Sequence, residues 1–512
     1  MRRAILIIGL AVLGLLLSRT ARVQQSVAVA GAVAHAVAAA ALLAAVARHG
    51  VQAMQAGGWP APFGITLVAD LTSALLVLLT GVLGVAVTVY ALADVDAARH
   101  RRAFLPVLQV LTMGVSGAFL TGDLFNLYVW FEVLLLASFV LLTLGGERTQ
   151  LRAGLHYVAI NLAGSTVFLI AAGLTYGAAQ TLNFADLATR LPALHAERPQ
   201  LVLALAFLLL VAFGLKAAVF PLGSWVPRAY PAPPTAVAAI FAGILTKVGV
   251  YALLRVFTLC FPPLPALQAL LLWLAGLTMV LGVIGAVAQA DMRRILAFHS
   301  ISQIGYMLLA TALVAGASPA ARPLAAVAVL VFMVHHGLVK SNLFLVSGAV
   351  GALRGTTRLA PLGGLAGGAP LLAVLFFVAA LSLAGLPPLS GFWAKLTVVQ
   401  ASFGAQQWFL AAAALGTGLL TLLSMVKIWN EAFWKPPPAE PAGPAAPLRA
   451  TRRGPVIALV ALTAALGLWP APLLDLARRA ADQLLARQAY IDAVELARPF
   501  EAAPPAHAEG AP

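Results

Sequence analysis

The sequence predicts an all-α polytopic membrane protein of about fourteen transmembrane helices, with two inverted five-helix repeats. Three observations carry that prediction. Of 512 residues, 62% are hydrophobic and only 10% are charged, with a mean hydropathy of +0.97. A soluble domain carries about 25% charged and about 45–50% apolar residues. Apolar runs approaching the ~20 residues that cross a bilayer core recur from Arg3 to Trp469. Two of these runs are interrupted by similar proline-containing strings, five spans apart.

Taken in order, the spans fall at roughly 3–17, 26–47, 65–92, 104–121, 123–144, 154–177, 200–220, 234–258, 264–289, 295–315, 324–350, 370–402, 407–431 and 455–473. Arg2 and Arg3 before an apolar stretch also suit a signal peptide. Another apolar run follows at once and the remainder is membrane, so 3–17 reads as the first span. PPPAEPAGPAAP from Pro436 reads as a flexible loop. Residues 474–499 read as an amphipathic helix at the interface or against a partner, and 500–512 as a disordered tail. The expected organisation is 1–103 for the first three helices, 104–258 and 264–431 for the two repeats, 432–454 for a cytoplasmic Pro-rich loop, 455–473 for the last span and 474–512 for the tail.

The interrupted spans are the seventh, with VFPLGSW, and the twelfth, with GLPPLSGFW. Proline removes a donor and clashes with the preceding turn, so each string marks a broken helix. Unwound backbone at membrane depth survives only where protein or a watered cavity satisfies it. Because five is odd, a repeat of that period is inverted relative to its partner. Spans 4–8 and 9–13 are therefore the candidate repeats, an architecture that places ion sites near the midplane in secondary transporters.

The formal charge of +15 does not indicate nucleic acid, because its placement is topological. Loops that would lie on one side hold sixteen basic residues against five on the other. By the positive-inside rule this puts the odd-numbered loops in the cytoplasm of a bacterial inner membrane and both termini outside. Cys260 is the only cysteine, which excludes a disulfide framework, a thiolate iron–sulfur site and a Cys-x-x-Cys-His haem attachment. No G-x-x-x-x-G-K-[ST] string occurs, so the chain carries no P-loop.

Twenty-six arginines stand against six lysines, and four of those lysines, Lys216, Lys247, Lys340 and Lys395, fall within or at a break in an apolar span. Arginine keeps its proton in a protein, whereas a desolvated lysine can release it. Arginine-rich loops alone could reflect base composition, but buried lysines do not, and the set reads as a proton path. Glu132 is the only carboxylate near a span centre. A charge there costs about 2.5–3.5 kcal/mol on insertion scales, so it should face inward and pair, with Lys216 the first choice. His336 lies four residues before Lys340, on the same helix face. Adjacent His335 and His336 point about 100° apart on one helix and make a poor axial haem pair. His299 suits either hydrogen-bonded structure or a proton relay. Asp70, Asp123 and Asp291 sit near span ends, where solvated or capping roles are expected. No cofactor and no metal site is indicated.

On these residues the chain resembles, from end to end, the antiporter-like membrane subunits shared by respiratory complex I and the Mrp-type cation/proton antiporters. The most specific stretch is AFGLKAAVFPLGSWVPRAYPAPPTAVAAIFAGILTKVGVYALLR, with lysines 31 residues apart, supported by DMRRILAFHSISQIGYM and LAGLPPLSGFWAK. GGWPAPFGITLVAD, LTGDLFNLYVWFEV, LRAGLHYVAINLAGS and SMVKIWNEAFW resemble the D-type subunit of the Mrp group. The resemblance implies a watered axis along the midplane. It makes Glu132 the essential glutamate, Lys216 and Lys247 the paired lysines, His336 and Lys340 the histidine–lysine pair of the eleventh span, and Lys395 the lysine of the second broken helix. It also implies a transport subunit, not an enzyme, that works in a hetero-oligomer with other membrane subunits to exchange sodium, potassium or lithium ions for protons. Two other readings stay open: a proton-pumping subunit of an NADH-quinone oxidoreductase or membrane-bound hydrogenase, and a scaffold that keeps the lysines as structure.

Overall fold

The computed structural model describes residues 21–316, 320–437 and 448–497, together with positions 9, 12–14 and 16. Most of the expected first span, residues 438–447 of the Pro-rich loop and the tail from residue 498 lie outside the described residues; the loop expected at 432–454 is shorter than that, because helix continues to Trp434 and resumes at Ala450. Within them, eleven helices are long and apolar enough to cross a membrane. With two shorter apolar helices, Phe104–Leu120 and Pro370–Ala384, they account for the expected spans two to fourteen.

In chain order the helices are α1 (Ala21–His49), α2 (Leu71–Asp94), α3 (Phe104–Leu120), α4 (Leu124–Thr143), α5 (Arg148–Ala179) and α6 (Phe184–Glu197). There follow α7 (Pro199–Ala217), α8 (Thr235–Leu259), α9 (Pro265–Val287), α10 (Met292–Ala315) and α11 (Arg322–Arg354). The last are α12 (Pro370–Ala384), α13 (Ser390–Gly404), α14 (Trp408–Ile428), α15 (Ala450–Leu468), α16 (Ala471–Leu485) and α17 (Arg487–Leu496). The helices α8, α10 and α11 form the centre: every residue of the most apolar stretch of α8 is buried, and nearly every one in α10 and α11. By contrast α5, α9 and α14 turn leucines and aromatics such as Leu155, Trp273 and Leu419 outward, as lipid or a partner subunit requires.

One element departs from an all-helical chain. Gln52–Gln55 and Thr66–Ala69 pair as an antiparallel hairpin at one end of the bundle. The intervening AGGWPAPFGI supplies the turn-forming glycines and prolines.

Both breaks form where the proline strings predict them. Helix α7 ends because Ala218 takes a left-handed conformation (φ 63°) and Pro221 has no N–H to donate. Its freed groups are paired inside the protein: Val219 N donates to Gly214 O (2.9 Å), and the Trp225 indole donates to Leu215 O (3.1 Å). At the second break α12 ends on Gly385 (φ 94°), and the N–H groups of Gly385 and Leu386 return to Leu381 O. Satisfied backbone is what lets both breaks persist at membrane depth.

The span-end aspartates cap helices. Asp70, Asp123 and Asp291 accept the backbone N–H of Ser73 (2.8 Å), Asn126 (2.7 Å) and Arg294 (3.1 Å). Asp70 is not solvated, however: it also pairs with Arg255 at 2.5 Å, both side chains being at most 4% exposed. The amphipathic C-terminal segment also differs from expectation. It breaks at Ala486 into α16 and α17, and α16 packs on this chain's own α2, α8 and α11. Leu473, Ala477, Ala480, Ala481 and Leu484 form its buried face. Its polar face staples helix ends: Arg479 donates to Ala47 O (2.7 Å), Gln483 accepts from Leu71 N (2.9 Å), and Arg487 of α17 donates to Thr258 O (2.8 Å) and Phe261 O.

Candidate proton path

The predicted residues fall into two groups. The first is Glu132 on α4 with Lys216 on the last turn of α7. Lys216 is buried, and its Nζ donates to Ser165 Oγ (3.2 Å) and sits 5.8 Å from the Phe131 ring centroid. It lies within electrostatic range of Glu132, yet the two form no ion pair. The expected direct contact is thus replaced by proximity, with Phe131 and Ser165 taking the positions beside the amine. Glu132 is half-buried, and its Oε1 is buried without a hydrogen-bond partner. A small cavity of about 10 Å³ beside Lys216 is lined by Phe131, Tyr157, Asn161 and Trp225, among others. That is room for about one water molecule.

The second group spans α8, α10, α11 and α13. Lys247, His336 and Lys340 are all 0% exposed, and Lys395 is 9% exposed. A single π-helical turn, Phe241–Leu245, interrupts α8 just before Lys247 and loosens the carbonyl ladder, so that Lys247 Nζ bonds Ala242 O five residues back. Such turns concentrate at functional sites. Lys340 Nζ and both ring nitrogens of His336 are buried with no protein hydrogen-bond partner. Lys395 Nζ donates to Ala384 O (2.7 Å), the last carbonyl of α12, and lies 5.3 Å from the Tyr306 ring centroid.

Electrostatic proximity links this group into one cluster. Lys340 feels Lys247, and His336 feels Lys247, Lys340, His335 and His299. His299 in turn feels both Lys340 and Lys395. Its position between two lysines is the feature that sequence reasoning left undecided; its Nε2 meets Ser424 Oγ at 2.5 Å and its Nδ1 has no partner. His335 also feels Lys395 and Lys247, and its Nδ1 meets Ser390 Oγ at 2.9 Å, so it stands in the same cluster although sequence reading did not place it on the path.

Two glycines make this geometry possible. A Cβ on Gly249 of α8 would lie 2.4 Å from Ala217 N, so only glycine lets the Lys247 helix approach the Lys216 turn so closely. A Cβ on Gly385 would lie 2.6 Å from Lys395 Cδ, blocking the course of that side chain to Ala384 O. The lysines thus bear mirrored relations to the breaks: Lys216 precedes the first, and Lys395 follows the second by little more than a turn of α13.

A polytopic bundle whose broken spans flank a buried cluster of amines and imidazoles has the construction of an ion-transport subunit. The chain belongs to the family described as NADH:quinone oxidoreductase/Mrp antiporter, transmembrane, which matches residues 121–421, more than half its length. It is 43% identical over 453 residues to the D-type subunit of a Na(+)/H(+) antiporter from Alkalihalophilus pseudofirmus, covering 88% of this chain and 89% of that one. The Bacillus subtilis protein of the same description is 39% identical over 460 residues, covering 88% and 90%. Among solved structures, the Mrp complex from Dietzia sp. DQ12-45-1b contains a chain that is 34% identical, with a TM-score of 0.88 over 96% of this chain and 98% of that one.

Proposed function

We propose that this chain is the proton-translocating subunit of a multisubunit monovalent cation/proton antiporter in a bacterial inner membrane. Protons pass along Glu132, Lys216, Lys247, His336, Lys340 and Lys395. The single observation that carries the reading is the burial of Lys247, His336, Lys340, His299 and Lys395 in one cluster between the two broken spans, with Lys216 and nearby Glu132 at the first break. The names of the relatives support exchange over a redox-driven pump. The sixteen-to-five loop asymmetry supports both termini lying on the outer side.

In this scheme the distance between Glu132 and Lys216 decides whether Lys216 holds or passes its proton. Ion movement at the interface with a partner subunit sets that distance, and the half-buried Glu132 is placed to respond to it. The proton crosses to Lys247 over the close contact at Gly249, then follows His336, Lys340 and His299 to Lys395.

The test uses everted vesicles carrying the whole complex in an antiporter-deficient host. Sodium-induced dequenching of a pH-gradient dye is compared between wild type and Lys216→Ala. The expected result is a cation-dependent signal that the substitution abolishes. Full exchange by an assembled Lys216→Ala complex overturns the path, and a wild type without signal points to the redox-linked pump.

A further inference from the structure

A groove of about 380 Å³ opens at the arginine-rich end of the bundle, between the end of α11 and the beginnings of α12 and α15. One wall is apolar, formed by Leu371, Leu375 and Val456 among others, and Leu371 is 47% exposed. Arg452 and Arg453 stand at the other wall, and among the described residues no carboxylate lines the groove. Arg452 is fixed by a bond from Nη2 to Ala93 O (2.7 Å), which leaves its buried Nε without a partner. Arg453 is exposed, and neither arginine joins an ion pair among the described residues. Both helices that begin here lack a side-chain cap, so their first N–H groups add positive potential to that of the guanidiniums.

The groove therefore has two chemistries side by side: guanidiniums in the first turn of α15, and an apolar wall that starts at Leu371 in the first turn of α12 and continues about one turn deeper through Leu375 and Val456. A free anion uses only the first and a neutral hydrocarbon only the second. We propose that this groove binds one anionic phospholipid, its phosphate against Arg452 and Arg453 and an acyl chain along Leu371, Leu375 and Val456. Basic pockets between transmembrane helices on the cytoplasmic side take such headgroups. The lipid wedges the end of the helix carrying His336 and Lys340 against the helix that leads into the Lys395 break, so it also braces the second half of the proposed path.

The test is native mass spectrometry of the purified whole complex, delipidated in detergent and titrated with phosphatidylglycerol or phosphatidylcholine. The wild type is expected to retain one phosphatidylglycerol in preference to phosphatidylcholine. Arg453→Gln, which removes an exposed side chain and no described hydrogen bond, is expected to weaken retention about fivefold, the factor equivalent to ~1 kcal/mol per basic group. Leu371→Trp fills the apolar wall without changing charge and is expected to abolish retention. Unchanged retention in both variants overturns the site, as does equal retention of phosphatidylcholine. Displacement by inorganic phosphate at equal concentration reduces it to an anion site, and a neighbouring subunit's helix seated in the groove of the assembled complex excludes the lipid.

Discussion

Lys340 offers the sharpest separation of function from stability. Its amine is 0% exposed, makes no hydrogen bond to protein, and has a like charge, Lys247, as its electrostatic neighbour. An unsatisfied buried polar group costs about 1–3 kcal/mol, and a charge at the bilayer centre about 2.5–3.5 kcal/mol on insertion scales. Methionine keeps the unbranched shape and replaces the amine by an apolar end. Lys340→Met should therefore stabilise the protein by about 1–3 kcal/mol, since it removes a cost and breaks no bond. The unfolding midpoint of the purified complex should rise while exchange in everted vesicles disappears. Lys395→Met is the control: it strands Ala384 O and should lower the midpoint while also stopping exchange. A fall in the midpoint of Lys340→Met, or exchange at the wild-type rate, would refute the reasoning.

Further expectations follow from other sites. Gly385→Ala forces a left-handed alanine, at about 1–2 kcal/mol, and pushes Lys395 aside; sodium-dependent dye recovery should slow several-fold in an assembled complex, and a normal rate would show that Lys395 tolerates displacement. Asp70→Asn keeps a helix-capping side chain but leaves Arg255 unpaired, so the unfolding midpoint should drop by the equivalent of about 3–5 kcal/mol and recover in part when Arg255→Met is added. Asp96 caps the short helix Ala97–Arg101 after α2, where the backbone N–H and then the guanidinium of Arg99 hold its carboxyl below the usual carboxylate range. A lowered pKa stabilises above the unfolded value of about 3.9 and is lost only as pH falls through the folded value. Deuterium exchange over residues 96–102 should therefore stay slow down to the ordinary carboxylate pKa, and early loss of protection would contradict the contact.

Much of this was readable because the membrane makes composition informative. Four lysines in apolar runs stand out where arginine is the ordinary cation, and prolines within Val219–Trp225 and Gly385–Trp393 mark helix breaks because continuous helix is otherwise obligatory at that depth. What escaped had no compositional trace. The π turn at Phe241–Leu245 reads as ordinary helix, because one extra residue in the ladder changes neither hydropathy nor propensity. Residues 52–55 and 66–69 are too short to show alternation, so the hairpin was absorbed into loop and span. The apolar face of residues 471–485 announced itself, but not what covers it, since a partner and the chain's own helices present the same surface. Glu132 and Lys216 were matched by charge alone, which does not reveal that Phe131 and Ser165 stand beside the amine.

The stapling by α16 and α17 also has a consequence in time. The Leu71–Gln483 bond joins residues 412 positions apart, and Arg479 reaches back to Ala47. At a synthesis rate of about 5–20 residues per second, the interval between making the two ends of the first bond is roughly 20–80 s. Until it ends, the end of α1 and the start of α2 lack these bonds, as does the end of α8 once made, and the buried Asp70–Arg255 pair lacks Tyr490, the α17 ring that lies 5.5 Å from the guanidinium. Closure of this subunit is thus a late, post-insertion event, and truncation of its last forty residues would leave an early-made region permanently in its nascent state.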